Sequence, residues 1–391
     1  MKKIICLFTL CFALCGTLYA YTARQYYEQG LKAEDANEKI KLFSKAIDKS
    51  PKFISAYHNR ADAYKEKGFF KKALADYNKI ITLSPKDPFK YYARALAYKE
   101  RGDCASAIRD FSEAIKLKNN YDDFYYNRAA CYMSLEKYAP ALKDLGKIKN
   151  RKPRRHDIEL MEGKANFFLY RYAKAREVFN GLLGQNPDDA EALFYIGRIH
   201  FNNEMYDEAI SYFSKVLNRD PYFDTAWLLR ASAFKEIDDY AQAAQDYTNL
   251  IALKPEYTYY NRRGLIYEEM DDWRAAADDY SYAIALNPKW AIPYNNRGYA
   301  YMKLKDYKKA KNDFDASLKL SSYLPTTHIN MAGYYWTVKK DKRNMYKYLD
   351  QALKHNFKDF DSLYENGKKA WLFKNINNTV EFRSFISGYN K

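Results

Sequence analysis

The sequence predicts an all-α fold: a superhelical α-α solenoid of tandem helix hairpins. Three observations predict it. Alanines recur at Ala73, Ala107, Ala141, Ala175, Ala209, Ala243, Ala276 and Ala310, in steps of 34 residues with a single step of 33. A period of this length means one supersecondary unit copied along the chain and stacked on its neighbours. Prolines recur in phase at Pro51, Pro85, Pro153, Pro187, Pro221, Pro255 and Pro288, closing each unit because proline cannot continue a helix interior. Finally, aromatic residues make up 17% of the chain and 40 of them are tyrosines. Tyrosine suits helix–helix seams, where it buries a ring and leaves a hydroxyl for water.

Residues 1–20 read as a secretory signal peptide. Lys2 and Lys3 make a positive start, Ile4 to Leu14 is an apolar run broken only by Thr9, and Leu18-Tyr19-Ala20 offers a small residue for cleavage. The run is short for a membrane span; an uncleaved anchor is the alternative. Bulky Leu14 before Cys15 argues against a lipid anchor. Three of the five cysteines lie in this segment, leaving Cys104 and Cys131. Two cysteines make no disulfide framework, and spacing leaves both a Cys104–Cys131 bridge and two separate packing thiols open. The net charge of +16 becomes +14 once Lys2 and Lys3 are removed. That favours acidic partners or anionic surfaces, and an exported chain has little occasion to meet nucleic acid.

Residues 21–53 form a degenerate first copy, in which the link from Gly30 to Phe43 is short. Residues 54–322 hold about eight tandem repeats. In the first, Ile54 to Lys67 has a helical pattern with Tyr57, Ala61 and Tyr64 on one face, and Gly68 breaks it. Phe70, Ala73, Leu74, Tyr77 and Ile80 mark a second helix, which Pro85 closes. This is an antiparallel helix pair. Ala61 and Ala73 let two backbones approach, and Tyr64 and Tyr77 fill the volume beside them. The same arrangement recurs as Gly163/Ala175/Phe179, Gly197/Ala209/Phe213, Gly264/Ala276/Tyr280 and Gly298/Ala310/Phe314. Residues 323–356 are a degenerate copy with a second helix over Met345 to Leu353. Residues 357–391 supply capping helices, with Phe382 and Phe385 covering the open apolar end.

The pattern Tyr57…Ala61…Tyr64…Ala73…Tyr77…Pro85 resembles the tetratricopeptide repeat. So does Trp227…Ala231…Phe234…Ala243…Tyr247…Pro255. The resemblance covers nearly all of the chain after residue 20 and speaks to fold far more than to function.

Six copies carry an arginine just before the small residue of the first helix, and an aspartate sixteen residues later. The pairs are Arg60/Asp76, Arg94/Asp110, Arg128/Asp144, Arg230/Asp246, Arg263/Asp279 and Arg297/Asp313. Copies without the arginine also lack the aspartate, showing Glu162 with Val178, Ile196 with Tyr212 and Met331 with Lys347. A structural guanidinium–carboxylate bridge within each hairpin accounts for this, because the planar fork of arginine holds a carboxylate through two hydrogen bonds.

The resemblance further implies a concave groove lined by the first helix of each pair. Carried onto this chain, its central lining is Tyr92, Lys99, Tyr126, Met133, Leu160, Lys164, Phe167, Phe194, Arg198 and Phe201, an aromatic stripe with a few cations. Later copies turn polar, with Asn261, Glu268 and Asn295. A partner site and plain packing both fit such a stripe. Asn59, Asn127, Asn296 and Asn330 share one slot and could hold an extended peptide backbone. A basic run, Lys147, Lys149, Arg151, Lys152, Arg154 and Arg155 followed by His156, contacts an acidic partner or is a solvated loop.

Histidines are scattered, without metal-ligand spacing. There is no phosphate-binding glycine loop and no nucleophile elbow. Asp238-Asp239 and Asp271-Asp272 fall in turns, where helix capping explains them. The expectation is a non-enzymatic binding scaffold or adaptor of the periplasm or extracellular space. It needs no cofactor or metal, takes a protein or peptide partner of acidic character, and touches membrane at most peripherally. The alternative is an envelope-attached factor whose basic surface holds anionic glycan or lipid head groups.

Overall fold

The computed structural model describes residues 21–359, 361–363 and 367–388. The segment read as a signal peptide lies outside the described residues. Every regular element among those described is helical. The chain divides into two compact units, one ending at Leu182 and one beginning at Leu183.

In the first unit the helices are α1 (Ala23–Lys32), α2 (Ala36–Lys49), α3 (Ile54–Glu66), α4 (Phe70–Leu83), α5 (Pro88–Glu100), α6 (Cys104–Leu117), α7 (Asp122–Ser134), α8 (Tyr138–Leu145), α9 (Arg155–Phe168) and most of α10 (Tyr172–Gln185). The second unit holds α11 (Ala190–Asn202), α12 (Tyr206–Arg219), α13 (Asp224–Glu236), α14 (Tyr240–Leu253), α15 (Tyr257–Glu269), α16 (Trp273–Leu286), α17 (Ala291–Lys303), α18 (Tyr307–Leu320), α19 (Pro325–Tyr334), α20 (Lys342–Lys354) and α21 (Val380–Ser387). Within each unit, consecutive helices pack on one another as hairpins and hairpins stack in order.

The in-phase alanines Ala73, Ala107, Ala141, Ala209, Ala243, Ala276 and Ala310 are fully buried on the second helices. The small slot of the first helix sets how close the two backbones come. A Cβ added to Gly298 would sit 2.6 Å from the Phe314 ring, and one on Gly163 would sit 2.5 Å from Phe179. Second helices end two residues before the prolines, at Lys49, Leu83, Gln185, Arg219, Leu253 and Leu286. The residue preceding a proline is driven out of helical backbone, which fixes this stop.

From the second hairpin onward, the turn inside each hairpin repeats a feature that the residue types conceal. One residue there adopts left-handed backbone: Gly68, Gly102, Glu136, Tyr170, Glu204, Asp238, Asp271, Lys305 and Lys340, with φ between 56° and 83°. Except after Lys340, where Asp341 N reaches back six to Tyr335 O, the following N–H reaches back five residues, as in Phe69 N to Tyr64 O at 2.8 Å and Asp306 N to Tyr301 O at 2.9 Å. This is a Schellman closure, and only two copies give it the glycine that suits it. Asp239 and Asp272 then cap the next helix, accepting from Gln242 N at 3.2 Å and Ala275 N at 3.0 Å.

Both ends depart from the period for visible reasons. Helix α1 has 10 residues against the 13 of α3, which accounts for the short Gly30-to-Phe43 link. In the last hairpin α19 runs into a π-helical turn, Tyr335–Lys339. The wide turn adds a residue, so the left-handed position moves to Lys340. Beyond α20 the chain forms short 3₁₀ turns and α21, and Leu363, Leu372, Phe373, Phe382 and Ile386 are buried in one cluster with Phe314, Met331 and Leu349.

Candidate interaction surface

Each of the six arginines is a three-way clamp. In Arg60, Nε donates to Asp76 Oδ2 at 2.8 Å and Nη2 to Asp76 Oδ1 at 2.6 Å, while Nη1 donates to Ser44 Oγ at 2.9 Å. Ser44 belongs to the second helix of the preceding hairpin. The fork repeats with little change. Arg94 holds Asp110 at 2.6 and 2.7 Å, and Arg297 holds Asp313 through two bonds of 2.8 Å. The third partner recurs as Asn78, Ser112, Ser214, Thr248 and Ser281, at 2.7 to 3.0 Å.

None of the six aspartates belongs to an open surface. Asp76, Asp110, Asp144, Asp246, Asp279 and Asp313 are all buried, Asp110 and Asp313 at 6% exposure each. Both oxygens of each carboxylate face the arginine of the same hairpin, the structural bridge that the spacing suggests. The hydrogen bond to Asp76 holds the Arg60 guanidinium above its ordinary pKa. Burial raises the Asp246 and Asp279 carboxyls against the opposing pull of Arg230 and Arg263.

Aromatic rings on the same helix flank the guanidinium: Tyr57 and Tyr64 at 5.5 and 5.8 Å for Arg60, Trp227 and Phe234 at 4.8 and 5.7 Å for Arg230. These rings thus sheathe an ion pair buried within the hairpin. The arginine–aspartate spacing was legible in the sequence. The third partner, a serine in four copies, was not singled out, though it stands sixteen residues before five of the arginines and fifteen before Arg263.

The copy centred on Glu162 reverses the pair instead of dispensing with it. Arg151, from the preceding linker, donates from Nη2 to Glu162 Oε1 at 2.5 Å and from Nη1 to Oε2 at 3.0 Å. Other members of the basic run are also engaged. Arg154 pairs with Asp123, Arg155 Nε meets Glu159 at 2.8 Å, and the Lys149 and Asn150 amides donate to the Asp122 carboxylate at 3.0 and 2.8 Å. Arg151 and Arg154 hold this linker against α9 and α7, while Arg155 pairs within α9 itself.

The residues expected to line a central groove separate into two kinds. Phe167 and Phe194 are buried, at 4% and 6% exposure, and their placement as an open stripe is corrected to packing. Phe167 lies 5.5 Å from the Tyr172 ring within the first unit, and Phe194 lies 4.7 Å from Phe223 within the second. Tyr92, Lys99, Tyr126, Met133, Leu160, Lys164, Arg198 and Phe201 are half-buried. The Tyr92 hydroxyl accepts from Asn127 Nδ2 at 3.1 Å, and Lys99 Nζ donates to Asn127 Oδ1 at 2.8 Å. Tyr126 donates to Asp157 at 3.4 Å. Arg198 lies 5.3 Å over the Tyr195 ring, and Phe201 meets Tyr206 at 5.6 Å.

In the second unit the polar positions of the first helices form a pocket of about 400 Å³. Its wall includes Leu265, Glu268, Ile292, Asn295, Asn296, Tyr299, Leu324 and Asn330, together with Lys368 and Lys369 from the C-terminal segment. An amide chain runs along it. Lys369 Nζ donates to Asn330 Oδ1 at 2.8 Å, Asn330 Nδ2 to Asn295 Oδ1 at 2.9 Å, Asn295 Nδ2 to Asn296 Oδ1 at 3.1 Å, and Asn296 Nδ2 to Asn261 Oδ1 at 3.2 Å. Thus the chain's own tail crosses the first-helix face. The Tyr299 hydroxyl donates to Lys368 O at 3.2 Å and accepts from Trp371 Nε1 at 3.0 Å. Lys368 Nζ meets Glu269 at 2.5 Å. Lys303 Nζ lies 4.8 Å from both the Trp273 and Trp371 rings.

Burial dominates the electrostatics here. It pushes the Glu268 carboxyl up to about 7 even though that group accepts from the Tyr280 hydroxyl at 2.6 Å. It pulls the Lys369 ammonium down to about 8 and lowers Lys303.

Among the described residues no group of three or more His, Cys, Asp or Glu is placed to hold a metal ion, and no helix is long and apolar enough to cross a membrane.

Tetratricopeptide-repeat family models match residues 54–87, 95–136, 160–222 and 291–323. Among solved structures, the C-terminal part of a TPR repeat-containing protein from Cytophaga hutchinsonii is similar at 20% identity and a TM-score of 0.55. The match covers 61% of this chain and 99% of that one. PilW, a type IV pilus biogenesis factor, is similar at 18% identity over 52% of this chain and 94% of that one, with a TM-score of 0.45. A search of curated proteins finds no match. With its period, its buried small-to-aromatic seams and four family matches in phase with them, this chain is a tetratricopeptide-repeat protein.

Proposed function

We propose that the protein is a non-enzymatic scaffold that holds an extended polypeptide segment against the first helices of its hairpins, and that it does so in the periplasm or outside the cell. The observation that carries the binding mode is the tail of the second unit. There a main-chain carbonyl, that of Lys368, accepts from Tyr299, and a side chain, Lys369, is held by Asn330. A foreign segment needs the same two things: donors for its backbone and polar or apolar seats for alternate side chains. The pocket beside the tail offers both, with carboxamides on its floor and half-exposed Leu265 and Ile292 on its rim. The export reading comes from Lys2-Lys3 and the apolar run after them.

The test is site-specific photo-crosslinking from Leu265 and from Ile292 in envelope extract. The scaffold reading expects crosslinks from both positions to one stretch of the same partner, lost in Asn295→Leu/Asn296→Leu. Crosslinks scattered over unrelated proteins, or unchanged in that variant, would sink it.

A further inference from the structure

In the hairpin stack of the first unit one seam is built differently from the rest. The first residue of the second helix is aromatic in other copies, as in Phe70, Tyr138 and Tyr206, and the residue 27 positions later is small, as in Ala97, Ala165 and Ala233. At this seam both slots hold cysteine. Cys104 opens α6 and Cys131 lies within α7 of the next hairpin. The two sit in one buried cluster with Ala95, Ala107 and Phe111, where burial, and then the neighbouring Cys104, hold the Cys131 thiol above its ordinary pKa. Both are reduced in this structure.

We propose that Cys104 and Cys131 form a modification site: a dithiol that a disulfide-bearing oxidant converts to a bond tying two adjacent hairpins together. The pair has the required neighbourhood, two buried thiols in one cluster on adjacent hairpins. Cys104 is the entry point, because it is 8% exposed while Cys131 is fully buried. The Cys104 thiolate attacks the oxidant disulfide, forming a mixed disulfide and releasing one thiolate of the oxidant. Cys131 then gives up its proton and displaces the second thiolate, so that two protein thiols are oxidised and one oxidant disulfide is reduced to two thiols. Burial raises the Cys131 thiol to about 12, which makes this second step the slow one.

The test exposes the folded full chain to glutathione disulfide, blocks remaining thiols under denaturing conditions, and maps peptides without reductant. The proposal expects a Cys104–Cys131 linked peptide pair, reversed by dithiothreitol, and a melting temperature above that of the reduced protein. In Cys131→Ala, which restores the residue seen in the equivalent slot at Ala97 and Ala165, Cys104 is expected to stop at a glutathione adduct. Recovery of both cysteines as free thiols, separate adducts on each, or an inert Cys104 in Cys131→Ala would overturn the proposal.

Discussion

Arg128 and Asp144 face each other through two hydrogen bonds of 2.7 Å, one from Nε and one from Nη2, and the remaining Nη1 reaches Ser112 in the preceding hairpin at 2.9 Å. One side chain therefore closes its own hairpin and fastens it to its neighbour. Asp144 is only 3% exposed, so removing the arginine leaves a buried carboxylate without a counter-charge. Arg128→Ala is expected to cost about 3–5 kcal/mol, whereas Arg128→Ala/Asp144→Leu should recover much of that loss. Melting temperatures of the two variants decide it; equal values would count against the clamp.

Lys305 carries a side chain where the Schellman turn demands φ of 62°. Left-handed backbone costs a non-glycine residue roughly 1–2 kcal/mol. Glycine at this position loses more chain entropy on folding and so returns part of that gain. Lys305→Gly is expected to stabilise the protein by about 0.5–1 kcal/mol in urea denaturation, and Gly68→Ala to destabilise it by about 1 kcal/mol.

Gly298 occupies a slot where other hairpins carry alanine. Here Phe314 has settled against the bare backbone, and a methyl group would stand 2.6 Å from its ring and 3.2 Å from Ala310 O. Gly298→Ala should destabilise by about 1–3 kcal/mol through overpacking, although the same residue is accommodated at Ala61 and Ala231. A neutral result by chemical denaturation would mean that the ring shifts freely.

Glu268 gives the pocket a pH dependence with a definite sign. Its carboxyl titrates near 7 in the folded protein against an ordinary 4.5. The stability associated with the protonated form is fully present below about pH 4.5 and is lost as pH rises through about 7. Glu268→Gln keeps an acceptor for Tyr280 and cannot ionise. Its melting temperature relative to the unmodified protein should rise between pH 5 and pH 8, by the equivalent of at most about 3 kcal/mol. A pH-independent difference would show that Lys369 compensates the carboxylate fully.

How much was legible varied with the range of the interaction. The 34-residue step, the small-to-aromatic seam of Ala61 with Tyr77, and the spacing of Arg128 and Asp144 are encoded in residue type at fixed offsets, so one chain with many copies of itself displays them openly. Spacing was silent on depth, however: that Asp110 and Asp313 lie inside the stack follows only from the neighbouring helices that cover them. Glu162 looked like a copy that had lost its clamp, because its partner Arg151 comes from the linker and breaks the offset. Phe167 and Phe194 looked like a groove lining, because a stripe at helical spacing reads alike whether it faces solvent or a neighbouring helix.

Local chemistry repeated in register was enough to establish which helices form and where most second helices stop, since those choices involve atoms within one repeat or its immediate neighbour; the helix before Pro153 ends early, at Leu145, and the left-handed hairpin turns carry mostly non-glycine residues. Contacts that span 69 to 99 residues, Tyr299 with Lys368 and Trp371, and Glu269 with Lys368, have no such periodic signature. They exist because stacking brings the first helices into line and leaves a polar face on which the tail can lie. Only the packed chain reveals which part of that face is already taken and which remains open.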